Sequence, residues 1–244
     1  MKKCLFVLMI CYLAVQPCLP VAEKVEPKGT PMNPMTFAVL NISWHGQSAI
    51  EVHDKLTIFI DPYELKKTAK ADLILITHPH PECLSPADIK KIQTPDTVIV
   101  SPDDKECRKK LSGDVRYLKP GQTITVKDVV IEAVPAYNRG FKFFHNKSFN
   151  WVGYILTVEG VRIYDAGDTD RIPEMKQTKA DIAFFPISGI FSMGPKEAAK
   201  AALDINPKVV IPVLYGRTSG SASNAEEFKK LLENKLNVLI KEEE

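Results

Sequence analysis

From Phe37 onward the chain alternates short apolar, β-branched runs with turn residues. The gaps between residues 37–44, 49–53 and 57–60 are too short for helices, which predicts an antiparallel meander. The rhythm then changes to a buried strand at 73–77, a helix at 86–92, a strand at 97–100 and a helix at 103–111. A second meander follows at 123–126, 129–134, 151–158 and 161–164. A second alternation closes the chain. It has a strand at 182–187, a helix at 195–203 opened by Pro195, and a strand at 209–214. A helix running to Leu232 behind a Ser223/Glu226 capping box and a strand at 237–240 complete it. Meander plus alternation thus occurs twice, with no residue-level repeat. The predicted class is α/β (α+β), a four-layer αββα sandwich of two mixed β-sheets flanked by helices.

Residues 1–36 break this pattern. Met1-Lys2-Lys3 is a basic start, and Cys4 through Val15 is an uninterrupted apolar run of 12 residues. A membrane span needs ~20 residues, so the run reads as the core of a signal peptide covering residues 1–22. The expectation is export to a periplasm or the exterior, with a membrane anchor through an uncleaved leader as the alternative. Residues 23–36 carry Pro27, Gly29, Pro31 and Pro34 with little apolar content, and read as a flexible tether. The domain is expected to span 37–244.

The whole chain has 32 basic and 30 acidic residues, a formal charge of +2, and loss of residues 1–22 would bring it to zero. That balance excludes a nucleic-acid binder held by basic surplus. The same cleavage would leave Cys83 and Cys107 out of five cysteines, free to pair in an oxidising compartment. The expected partner is a small-molecule substrate, with no stable membrane insertion after cleavage.

Two segments carry chemistry. Thr77-His78-Pro79-His80-Pro81-Glu82-Cys83 follows the strand at 73–77, and Tyr164-Asp165-Ala166-Gly167-Asp168-Thr169 follows the strand at 161–164. Strand C-termini are where α/β sites collect, and imidazole, carboxylate and thiol are all zinc donors. No phosphate loop, nucleophile elbow or dinucleotide fingerprint is present.

Together the two segments resemble the metallo-β-lactamase superfamily, with its His-x-His-x-Asp-His run and later Gly-Asp-Thr aspartate. Trp44-His45-Gly46, Ile60-Asp61-Pro62, Gly153-Tyr154, Arg162-Ile163-Tyr164, Ile172-Pro173-Glu174-Met175 and Ile211-Pro212 extend that resemblance across residues 37–240, in the order of its stand-alone bacterial and archaeal hydrolases. The resemblance implies that His78, His80 and Asp168 bind a first metal. The Asp-His pair that helps to hold a second metal is replaced by Glu82-Cys83, and the late histidine by Leu214. Cys83 as thiolate remains a zinc ligand in kind, and Glu82 is a candidate general base. Residues 136–138, Ala-Tyr-Asn, stand where many members carry a further histidine. His145 lies beyond them in an aromatic loop (Phe141, Phe143, Phe144, Phe149, Trp151), and reaches the site only if that loop folds over it. His45 and His53 read as packing or surface residues.

The expected function is metal-dependent hydrolysis with at most one metal, zinc in first place and manganese or iron open. Water activated there would attack an ester, amide or phosphoester, with Asp168 and Glu82 as the catalytic carboxylates. The alternative is a catalytically inactive exported protein that binds a ligand or partner in the former cleft.

Overall fold

The computed structural model describes residues 32–66, 69–140 and 144–244. The leader 1–22, most of the tether, Phe141 and Phe143 lie outside the described residues. Among those described, no helix is long and apolar enough to cross a membrane.

One sheet holds β1 (Ile42–Trp44), β2 (Ile50–His53), β3 (Thr57–Ile60), β4 (Leu73–Leu75), β5 (Val98–Pro102) and β6 (Asp114–Leu118), adjacent in that order. The other holds β7 (Thr123–Val126), β8 (Val129–Pro135), β9 (Val152–Val158), β10 (Val161–Asp165), β11 (Ile182–Pro186), β12 (Val209–Val213) and β13 (Asn237–Val238). Each sheet begins antiparallel and ends parallel, as the repeated meander-plus-alternation pattern requires.

Strand periodicity assigns the layers. Ile58 and Ile60 of β3 enter the core shared with Ile131, Leu156 and Ile163 of the opposite sheet. Phe59 between them faces the other way, into a second core with Ile89 and Ile92 of α2 (Pro86–Ile92) and Cys107 of α3 (Lys105–Lys110). On the far side α4 (Pro195–Ile205) packs on β11 and against α5 (Ala222–Leu231). Two mixed sheets with helices outside both form the αββα sandwich.

Three local expectations are corrected. The chain enters the domain through a helix, α1 (Pro34–Leu40), where the pattern predicted tether and then strand. Asn33 caps it, its Oδ1 accepting from Met35 N at 2.9 Å and Thr36 N at 3.3 Å, with Pro34 in the first turn. The apolar run at 37–40 fits either period, and the cap selects the helix. Strand β6 was not predicted, because an edge strand with Asp114 and Arg116 facing solvent lacks an apolar stripe. The last long helix starts behind Ser221, so Ser223 lies in its first turn and is not the cap. The Ser221 hydroxyl is engaged with Ser223 Oγ at 2.7 Å and Asn224 Oδ1 at 2.9 Å.

Candidate metal centre

The site forms where loops leave β4, β8 and β10 and where the chain returns into β9. Backbone and side-chain bonds lock the two sheets together beneath it. Val152 N donates to Thr77 O at 3.2 Å, and the Tyr154 hydroxyl donates to Ile76 O at 2.8 Å. Gly153 is obligatory between them, since a Cβ there would stand 2.5 Å from Asp165 O and 2.8 Å from Ala166 O. Gly167, at φ +61°, supplies the left-handed turn before Asp168.

His78, His80 and His145 converge, with donor atoms mutually within 4.8 Å. His78 Nε2 and His145 Nε2 are 3.3 Å apart, and Asp168 Oδ2 is 3.8 Å from His145 Nε2. The indole of Trp151 backs all three imidazoles, with ring centroids 5.0–5.3 Å away. Glu82, half-buried, groups with His78 and Asp168 within the same 4.8 Å limit.

His145 therefore joins the site, because the β8–β9 loop does fold over it. Asn138 makes that possible. Its Oδ1 accepts from His145 N at 3.2 Å and lies 3.1 Å from His145 Nδ1, while its own N–H donates to His145 O at 2.7 Å. The loop is stapled to the turn after β10. Tyr137 N donates to Thr169 Oγ1 at 3.0 Å, and Arg139 N donates to Asp170 Oδ2 at 2.8 Å. The segment 136–138 lacks the histidine expected there, and Asn138 holds one from seven positions further on. The signal for it in the sequence is a histidine inside an aromatic loop shortly after Asn138.

His78 is oriented from behind by Thr77, whose Oγ1 lies 2.9 Å from His78 Nδ1. Thr77 Oγ1 and N also donate to Asp61, at 2.5 and 2.8 Å. Cys83 groups with Asp61 and His78, on the Thr77 side of the cluster. Its thiol hydrogen-bonds Asp61, and burial followed by the charges of Asp61, Asp168 and Glu82 pushes it well above the usual thiol range. Cys83 and Cys107 are both buried and free, so the pairing considered for them is not made. Leu214 is buried at the end of β12 with φ +58°, a conformation leucine rarely takes, its N–H donating to Gln47 O at 2.8 Å. His45 is buried, bonded through Nε2 to Glu51 at 2.8 Å and packed on Phe59, in keeping with a packing role.

Burial dominates the electrostatics. It pushes His78 well below the ordinary histidine range, helped by His145 and His80, and lowers His80 less. Burial, then Glu82 and Asp165, raises Asp168 to about 8. Three imidazoles and one carboxylate, presented by the loops after β4 and β10 and by the β8–β9 loop, form a donor set of the kind that holds a divalent transition metal. A cavity of about 270 Å³ between β8–β10 and the 3₁₀ turn Pro173–Gln177 contains none of these residues in its walls.

Comparison with known proteins agrees with this geometry. The chain is 31% identical over 217 residues to a metal-dependent hydrolase of Thermococcus kodakarensis, covering 83% of this chain and 96% of that one. It is 32% identical over 212 residues to one of Methanopyrus kandleri, covering 80% and 92%. A solved structure from Parabacteroides distasonis, described as a metal-dependent hydrolase, is 36% identical with a TM-score of 0.72, covering 83% and 93%. A metallo hydrolase from Ignicoccus hospitalis, 22% identical, has a TM-score of 0.67 over 82% and 94%, and shares the fold. Residues 41–214 match the family model described as the beta-lactamase superfamily domain. The chain belongs to the metallo-β-lactamase superfamily.

Proposed function

We propose that this protein is a metal-dependent hydrolase that works with one metal ion, zinc in first place, held by His78, His80, His145 and Asp168. The carrying observation is the convergence of three imidazoles, His78 and His145 buried and His80 half-buried, with His145 brought in by Asn138. When bound, the metal supplies a Lewis acid and an activated water. The protein's own residues do the rest. Thr77 and Asn138 hold His78 and His145 in register, as outer hydrogen bonds to metal-binding histidines do. Trp151 screens one side of the cluster from water. Glu82, beside His78 and Asp168, is placed to take a proton from the attacking water and return it to the leaving group.

A second metal has no comparable support. Leu214 has no lone pair to offer, Glu82 is a methylene longer than aspartate, and the Cys83 thiol is occupied with Asp61. Those same replacements favour the reading of an exported, inactive binding protein, and the complete three-histidine set weighs against it. The deciding experiment compares metal-stripped, zinc-loaded and His78→Ala protein on nitrophenyl esters and bis(p-nitrophenyl) phosphate. Hydrolysis restored by zinc and abolished in His78→Ala is the expected result. No zinc-dependent turnover of any substrate would favour the binding protein.

A further inference from the structure

Exposed aromatic side chains are uncommon on a soluble surface unless something covers them. Here four large apolar side chains, Phe144, Phe149, Ile190 and Phe191, are 37–56% exposed, and all belong to two loops built onto the metal centre. Phe144 immediately precedes His145, and its ring packs edge-on against Phe191 with centroids 4.9 Å apart. Phe191 is fixed to the site because its carbonyl accepts from Asn138 Nδ2 at 2.9 Å. Two residues on, Met193 N donates to Thr169 O at 3.1 Å, next to Asp168. Across the cluster Phe149 packs on Trp151 at 4.8 Å. The bonds that place His145 and Asp168 therefore also place an apolar rim beside them.

Charge around the centre points the same way. A divalent ion facing Asp168 and Glu82 would balance the charge of those two carboxylates. Lys147 is consumed by Glu174 at 2.8 Å and lies over the Tyr137 ring, and the Arg139 guanidinium donates to Arg171 O. Among the described residues, Lys110 is the cation whose charge is felt at His80. We infer that the substrate is a neutral carboxylic ester whose apolar acyl arm lies along Phe144 and Phe191. This rests on the hydrolase reading above. In the reaction the acyl C–O bond breaks and a C–O bond to water oxygen forms. One water proton passes to the leaving alkoxide, giving carboxylic acid and alcohol.

The test uses the zinc-loaded protein and its Phe144→Ser/Phe191→Ser variant, both sites being exposed enough to leave folding intact. Each buried methylene is worth about fourfold in kcat/KM. p-Nitrophenyl butanoate should therefore exceed the acetate by roughly 15-fold in the parent, and the ratio should fall below about threefold in the variant. Bis(p-nitrophenyl) phosphate should be the poorest substrate. Independently of turnover, the neutral dye N-phenyl-1-naphthylamine should fluoresce with metal-free parent and lose most of that enhancement with the variant. Zinc-dependent turnover with a flat acyl series, or with the phosphodiester preferred, overturns the inference and leaves the hydrolase reading standing. Dye binding that the variant abolishes, with no zinc-dependent turnover at all, overturns the hydrolase reading and with it the assignment of the rim to an ester substrate.

Discussion

Replacing Asn138 by Ala removes the group that turns His145 toward the metal centre. In the parent its Oδ1 accepts from His145 N and faces His145 Nδ1, and its Nδ2 donates to Phe191 O. The truncation leaves the buried His145 N–H and the Phe191 carbonyl without that partner. Lost hydrogen bonds contribute ~0.5–1.5 kcal/mol each, and an orphaned buried group costs ~1–3 kcal/mol. Metal-free protein should therefore lose about 2–4 kcal/mol in urea unfolding. Outer partners of metal-binding histidines are worth 10–100-fold in affinity, so zinc binding should weaken by that factor in competition with a chromophoric chelator. Unchanged zinc affinity in a folded but destabilised variant would refute the reasoning. Asn138 would then merely build the loop, and His145 would not be a ligand.

Other substitutions probe the frame and the neighbouring groups. Gly153→Ala must push β9 away from the backbone carbonyls of residues 165 and 166, and should cost at least ~2 kcal/mol in denaturant unfolding; a loss below ~0.5 kcal/mol would contradict the packing at that crossing. Thr77→Val takes the hydroxyl from His78 Nδ1 and should lower zinc affinity about tenfold by chelator competition. Cys83→Ala, removing a thiol bound to Asp61, should change zinc affinity less than ~threefold in the same titration, the tenfold effect being that of a group that touches the ligands. Glu243 is held by Arg217 at 2.6 Å and Lys66 at 2.7 Å, which draw its carboxyl from the ordinary 4.5 down to about 2. Its contribution is full above pH 4.5 and fades as the pH falls through 2. Glu243→Gln should thus cost about 1 kcal/mol near neutrality, discounted for solvent screening, with parent and variant converging in urea melts below pH 2.

The sandwich was legible because most of its strands are short apolar runs bounded by turns, and some also carry a period of two. Residues 57–60 show it within four positions, with Ile58 and Ile60 on one face and Phe59 on the other. Segments decided by a single polar contact were not legible. Asn33 turns residues 34–40 into a helix, and solvent-facing Asp114 and Arg116 hide an edge strand. The site divides the same way. His78, His80 and Asp168 stand directly after strands, so the fold alone carries them into place. His145 depends on a loop closing through Asn138, Thr169 and Asp170, and no periodicity encodes a closure made by side-chain hydrogen bonds between loops.

The central claim is that His145 completes a centre for one metal. Elemental analysis of zinc-loaded, exhaustively dialysed protein tests it directly, with parent and His145→Ala measured in parallel. The expected result is one equivalent per chain in the parent and close to none in the variant. Two retained equivalents in the parent, or an undiminished one in His145→Ala, would contradict it.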